Sequence, residues 1–206
     1  MAMAWGHPLG PEGWSAYTAI RVGQETPEVV VVLEVPAQEA VARFQAFAGE
    51  VADEEAETRF RAHMWSQLSD GLTVRLNEEQ VAGSWEPVWT PVNGRLAEGF
   101  FVYLLRFERD GTWSLPERWS LSVDNQAFSD EPTWRTAWAE AELPWDLIGH
   151  SAAGLLPRMV AEPATVADVW TQDDRLRDFR IDVRRVEKPR DKALRLRRKG
   201  SEDGGV

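Results

Sequence analysis

The chain has 206 residues, a net charge of −11, 43% apolar and 10% aromatic residues, and no cysteine. That much apolar surface excludes a disordered chain and suffices for the core of one domain. The missing thiols exclude a disulfide framework, a cysteine nucleophile and a thiolate metal site, and an acidic body repels phosphates, which speaks against nucleic acid as a partner.

The charge is unevenly spread, because residues 184–199 hold nine Lys/Arg against two Asp/Glu and the rest is correspondingly more acidic. Eleven tryptophans against two tyrosines suit a β-sandwich core or an interface, where a wide apolar ring has one N–H to satisfy. No stretch of about 18 consecutive apolar residues is present to span a bilayer. Residues 1–6 read as the remnant of a signal or as a cloning segment: Ala2-Met3-Ala4 has the small-x-small form of a cleavage site without the charged and apolar regions before it. Residues 7–186 read as a single domain, and 187–206 as a flexible basic tail.

In chain order, Ser15 to Gly23 alternates as a half-buried strand does, with Tyr17 and Ala19 to one side and Thr18, Ile20 and Val22 to the other. Gln24 to Pro27 is a turn, and Val29 to Val35 is apolar on both faces, so the pair predicts a β-hairpin whose second strand is covered on each side. Ala37 to Ala48 has helical spacing and stops at Gly49. Asp53 to Leu68 predicts a second helix, its acidic first turn suited to the positive helix end and its Ala56, Phe60, Met64 and Leu68 on one stripe.

Strand patterns resume at Leu72 to Leu76, at Val81 to Val92 with Trp85 and Trp89 four apart, and, after an Asn93-Gly94 turn, at Phe100 to Phe107. Asp110-Gly111 leads to a strand around Trp119 to Val123, and another follows over Trp134 to Leu143. Residues 144–165 carry Pro and Gly without a clear period and read as loop with short structured pieces, and Phe179 to Val183 forms the last strand. These elements predict a mainly β (α+β) fold, an antiparallel, immunoglobulin-like (Ig-like) β-sandwich with a helical hairpin inserted at about 37–68.

Chemistry-bearing residues are sparse. A chain beginning at Trp5 would offer its amine, two amides and the His7 imidazole as a square-planar nitrogen set, suited to Ni(II) or Cu(II). With Met1 in place that set cannot form, and His7 then caps or packs beside the first strand. His63, beside Met64 on the second helix, reads as a surface or half-buried residue. His150 and Ser151 with nearby Asp146 suggest a triad, yet adjacent residues rarely face each other. Glu50, Asp53, Glu54, Glu55 and Glu57 form a solvated helix face, without the Asp/Asn and Gly alternation of a calcium loop. Asp173, Asp174 and Asp178 form a second acidic group, and no spacing recommends a glycosidase pair. Trp85, Trp89, Trp134 and Trp138, if exposed on one sheet face, would make a sugar-stacking platform of the kind a carbohydrate-binding module uses; the alternative is that they fill the core. Phosphate-loop, nucleophile-elbow and dinucleotide motifs are absent.

His7-Pro8-Leu9-Gly10, the strand segments Tyr17 to Val22 and Val30 to Pro36, Leu72-Thr73-Val74, Asp124-Asn125 with Phe128, and Trp134-Arg135 resemble, in that order, elements of the extracytoplasmic domain of nickel/cobalt-type transport membrane proteins. Those proteins are related to the hydrogenase- and urease-accessory permeases, and the resemblance spans roughly residues 7–140. It implies a signal peptide ending just before the His-Pro-Leu-Gly, a strand pair and a helix after it, and membrane helices beyond the domain. By that likeness the chain is a non-enzymatic extracytoplasmic domain, periplasmic or at the cell surface, that senses or delivers nickel or another metal or docks a partner. The partner implied is a membrane transporter portion or a membrane surface. The departure lies at Phe47 to Glu55, which replaces the acidic, calcium-loop-like stretch common in the family.

Overall fold

The computed structural model describes residues 13–49, 53–88, 95–97, 100–131, 133–152 and 176–186. His7, Trp89, Asp173, Asp174, the first six residues and the 187–206 tail lie outside them.

The first hairpin forms as the alternation dictates. Strand β1 (Trp14–Val22) pairs antiparallel with β2 (Pro27–Pro36), Thr18 opposite Val31, and Gly23 N–H closes the turn on Thr26 O at 3.1 Å. Helix α1 (Ala37–Ala48) starts directly at Pro36 and ends at Gly49, whose φ of 64° lets its N–H reach Gln45 O at 3.0 Å. Helix α2 (Glu54–Asp70) is capped by the Asp53 carboxylate, which accepts from Ala56 N–H at 2.7 Å. It runs two residues past the expected Leu68.

The two helices meet through aromatic edges, Phe60 lying 5.4 Å from Phe44 and 5.6 Å from Phe47. Gly71 follows α2 where its Cα faces the backbone of Ala127, and a Cβ there would come within 2.5 Å of Ala127 N. This hairpin carries the chain from one sheet to the other.

The remaining strands are β3 (Leu72–Leu76), β4 (Glu79–Gln80), β5 (Gly83–Pro87), β6 (Arg95–Ala97), β7 (Phe100–Arg109), β8 (Arg118–Asn125), β9 (Thr133–Ala141), β10 (Trp145–His150) and β11 (Asp178–Arg185). Sheet A has the order β5-β7-β2-β1-β9, with β6 also on β7; sheet B has the order β10-β11-β8-β3-β4. Their facing sides share one core. Ile20, Val31, Leu33 and Leu105 from sheet A meet Val74, Leu121, Phe179, Ile181 and Val183 from sheet B, with Phe60, Met64 and Leu68 of α2 joining them. The fold is thus mainly β, two mostly antiparallel sheets in a sandwich with the helical hairpin inserted as expected.

Within this mostly antiparallel arrangement one pair is parallel: β1 runs beside β9, Trp14 beside Thr133 and Val22 beside Ala141. Alternation sets faces but leaves strand direction open. The stretch from residue 144 onward, expected as loop with short structured pieces, opens with β10; Pro144 stands just before the strand and Gly149 sits at a register shift. Trp145 and Leu147, two residues apart and both before that shift, reach the core by ordinary alternation. Of the strand expected over 81–92, β5 forms Gly83–Pro87, and residues 89–92 lie outside the described residues.

The other side of sheet A carries a second apolar cluster of Tyr17, Ala19, Val32, Val102 and Trp138, with Val30 and Leu104 against it. This accounts for the unbroken apolar run in β2. The outer side of sheet B is charged, with Arg75–Asp124 at 3.6 Å, Arg180–Asp182 at 3.1 Å and Arg184–Asp146 at 3.0 Å. Such exposed pairs add little stability and keep that face solvated.

Candidate functional site

A concavity of about 630 Å³ opens beside the β1–β2 turn. Its walls are the turn itself (Gly23, Thr26 and Pro27), the far end of β7 from Arg106 to Arg109, and Trp113 beyond the Asp110-Gly111 turn. The turn is held from sheet B, since the Trp145 indole N–H donates to Gln24 O at 3.1 Å. Asp110 N–H donates to Ala82 O at 3.0 Å and fixes where β7 ends.

Charged side chains of both signs reach this cleft. Arg21 pairs with Glu140 at 2.9 Å and Glu142 at 2.5 Å, and the Glu142 hydrogen bond, with both carboxylates' charge, holds its guanidinium still more firmly protonated. Arg106 binds Glu108 at 2.5 Å. Arg109 behaves differently. Its guanidinium lies 4.7 Å from the centre of the Trp113 ring, and its Nη1 is buried without an acceptor. The sequence offered only a faint sign of this pair: an Arg and a Trp flanking a tight Asp-Gly turn.

A second, shallower dish of about 340 Å³ lies on sheet B between Asn77, Arg118, Ile148 and Arg180. Asn77 is folded onto β8 there, its Oδ1 accepting from Ser120 N–H at 2.9 Å. Arg180 is held by Asp182 and by Glu78 at 3.6 Å, so its charge is already matched.

Of the three described tryptophans among the four considered for a sugar platform, Trp134 and Trp138 share one face of sheet A and Trp85 lies on the other. Trp85 stands opposite Phe107, with ring centres 5.3 Å apart, points into the shared core and donates its N–H to Leu72 O at 3.3 Å. Trp138 stands beside Ala19 on the other face of the same sheet, is 6% exposed, and leaves its N–H unbonded. Trp134 shares the face of Trp138 and is half-buried. Trp89 lies outside the described residues, as does His7. Burial pushes the nearby Tyr17 phenol well above its usual range, with the Glu140 charge adding to the effect.

The three residues considered for a triad do not assemble. Ser151 Oγ donates to Asp178 O at 3.2 Å and accepts from Arg180 N–H at 2.9 Å, while Asp146 binds Arg184. His150 keeps a buried, unbonded Nδ1, and desolvation lowers its pKa. His63 is exposed and stacks on Phe47 with ring centres 5.2 Å apart. Of the acidic first turn, Asp53 caps α2, and Glu55 and Glu57 bind Arg59 and Arg61 one turn on.

Among the described residues no group of three or more His, Asp or Glu is arranged to hold a metal ion, and no helix is long and apolar enough to cross a membrane. Neither the protein-family models nor the curated proteins contain a match to the chain.

Proposed function

We propose that the chain is a non-enzymatic extracytoplasmic domain that docks a partner, similar to the outer domain of nickel/cobalt-type transport membrane proteins. The observation that carries this reading is the order of elements. A strand pair, helix α1 and then β3 occupy the segments in which the sequence resembles that family. The basic run over 184–199 complements an anionic membrane surface, at about 1 kcal/mol per Lys or Arg held near it. A carbohydrate-binding role has less support, because Trp85 and Trp138 lie on opposite faces of sheet A.

The test is made in the source cell. Deleting the gene should lower uptake of radioactive nickel or cobalt, and the protein should be open to protease in spheroplasts whose inner membrane is intact. Unchanged uptake together with full protection from protease would end this reading. A role for nickel or copper at His7 is tested separately, by titrating a chain trimmed to Trp5; the expected result is the absorption band of a square-planar complex, lost in His7→Ala.

A further inference from the structure

We propose that Trp14, Phe128 and Glu131 form a recognition site for an arginine side chain of a partner protein. In this structure Arg43 of α1 fills the site, and a partner's arginine takes its place when α1 lifts. The Arg43 guanidinium carbon lies 4.7 Å from the centre of the Trp14 ring and 5.6 Å from that of Phe128. The two rings are 4.9 Å apart and tilted by 44°. Arg43 Nε donates to Glu39 at 3.1 Å and Nη2 donates to Glu131. Ring faces and carboxylates together suit a planar, delocalised cation, and a lysine ammonium uses them less fully.

The walls of this cage are fixed and its occupant is not. Trp14 opens β1 and is buried. Phe128 and Glu131 belong to the β8–β9 loop, which is tied down without help from α1. There Asn125 Oδ1 accepts from Ala127 N–H at 3.2 Å, Glu131 N–H donates to Phe128 O at 3.0 Å, and Arg177 Nη2 donates to Ser129 O at 2.9 Å. Phe128 has a left-handed backbone, φ 51°, which is costly for an aromatic residue, and strain of that kind collects at ligand clamps. Arg43 and Glu39, by contrast, ride on a helix with a light hold on the core. Of the twelve residues of α1 only Ala40 is buried, Val41 and Phe47 are 46% and 42% exposed, and no side chain caps the first turn. Phe44 and Phe47 add ring contacts to Phe60. An element held so lightly opens locally before the domain unfolds, and an incoming arginine then competes with Arg43 for the same walls. This inference goes beyond the transport-domain reading, does not depend on it, and is tested on the isolated protein.

The test is NMR titration of the full 206-residue chain, following the Trp14 indole N–H, assigned through Trp14→Phe. The probes are argininamide, lysinamide and urea. Argininamide should give a saturable shift in wild type below about 100 mM, lysinamide should bind more weakly, and urea, planar but uncharged, should give none. Arg43→Ala removes the internal competitor, so argininamide should bind about tenfold more tightly; Glu131→Gln should weaken binding about tenfold. Amides of α1, and not those of β1 and β2, should exchange faster with solvent as wild type saturates. No saturable shift in a folded Arg43→Ala, or equal affinities in that variant and wild type, would overturn the proposal. So would a wild type without a saturable shift, an unchanged affinity in Glu131→Gln, or an α1 as protected with argininamide as without it. Those three measurements hold even if Arg43→Ala does not fold.

Discussion

Tyr103 and His150 are two side chains whose ionisation the fold resists, and each predicts a pH at which stability falls. Burial pushes the Tyr103 phenol from 10.0 up to about 12, with the Arg61 charge pulling the other way. The neutral phenol is the form the core accepts, so its contribution is complete below pH 10 and is lost as pH rises through about 12. Tyr103→Phe keeps the ring and removes the titration; urea midpoints measured from pH 9 to 12 should therefore fall less steeply in the variant. The sense is reversed on the acid side for His150, whose imidazole is held below its ordinary 6.5 by desolvation. The unfolded chain takes up that proton more readily, so stability present above pH 6.5 drains away as pH falls below it. His150→Asn should flatten the stability profile between pH 7 and 5, and an unchanged slope would refute the assignment.

At the scale of elements, Asp53 is the clearest local determinant, since its carboxylate satisfies one of the open N–H groups at the start of α2. Asp53→Ala should lower unfolding free energy by about 1 kcal/mol in chemical denaturation, while Asp53→Asn should lose much less. Elements governed by such local signals were legible in the sequence: the β1–β2 hairpin, both helices with their Gly49 and Gly71 ends, and the apolar β7. Elements that depend on a distant partner were not. β10 is irregular alone and becomes a strand only because β11 supplies a ladder that absorbs the shift at Gly149. The tryptophan platform shows the same limit. The faces of Trp85 and Trp138 follow from registers passed through β7, β2 and β1, and spacing along one strand contains none of that information. Arg109 and Trp113 were equally hidden, because the turn between them brings the two side chains into contact only in the folded state.

In the whole molecule, the helical hairpin and the two sheets close on one core, and sheet A adds a second apolar layer on its far side. Sheet A is therefore apolar on both sides while sheet B presents paired charges outward, so the two ends of any partner contact differ in chemistry. The assembly of sheet A also depends on chain far from its start. β1 lies between its hairpin partner β2 and β9, beside which it runs in parallel from Trp14 to Val22.

A ribosome releasing this protein thus exposes the raw backbone edge of β1 until more than half of the polypeptide has emerged, an invitation to intermolecular pairing. A recombinant piece ending at Glu131, which lacks β9, should accumulate in inclusion bodies, whereas adding the β9 peptide in trans should rescue part of it into the supernatant. If that piece were soluble and monomeric by sedimentation, the edge would have another guardian.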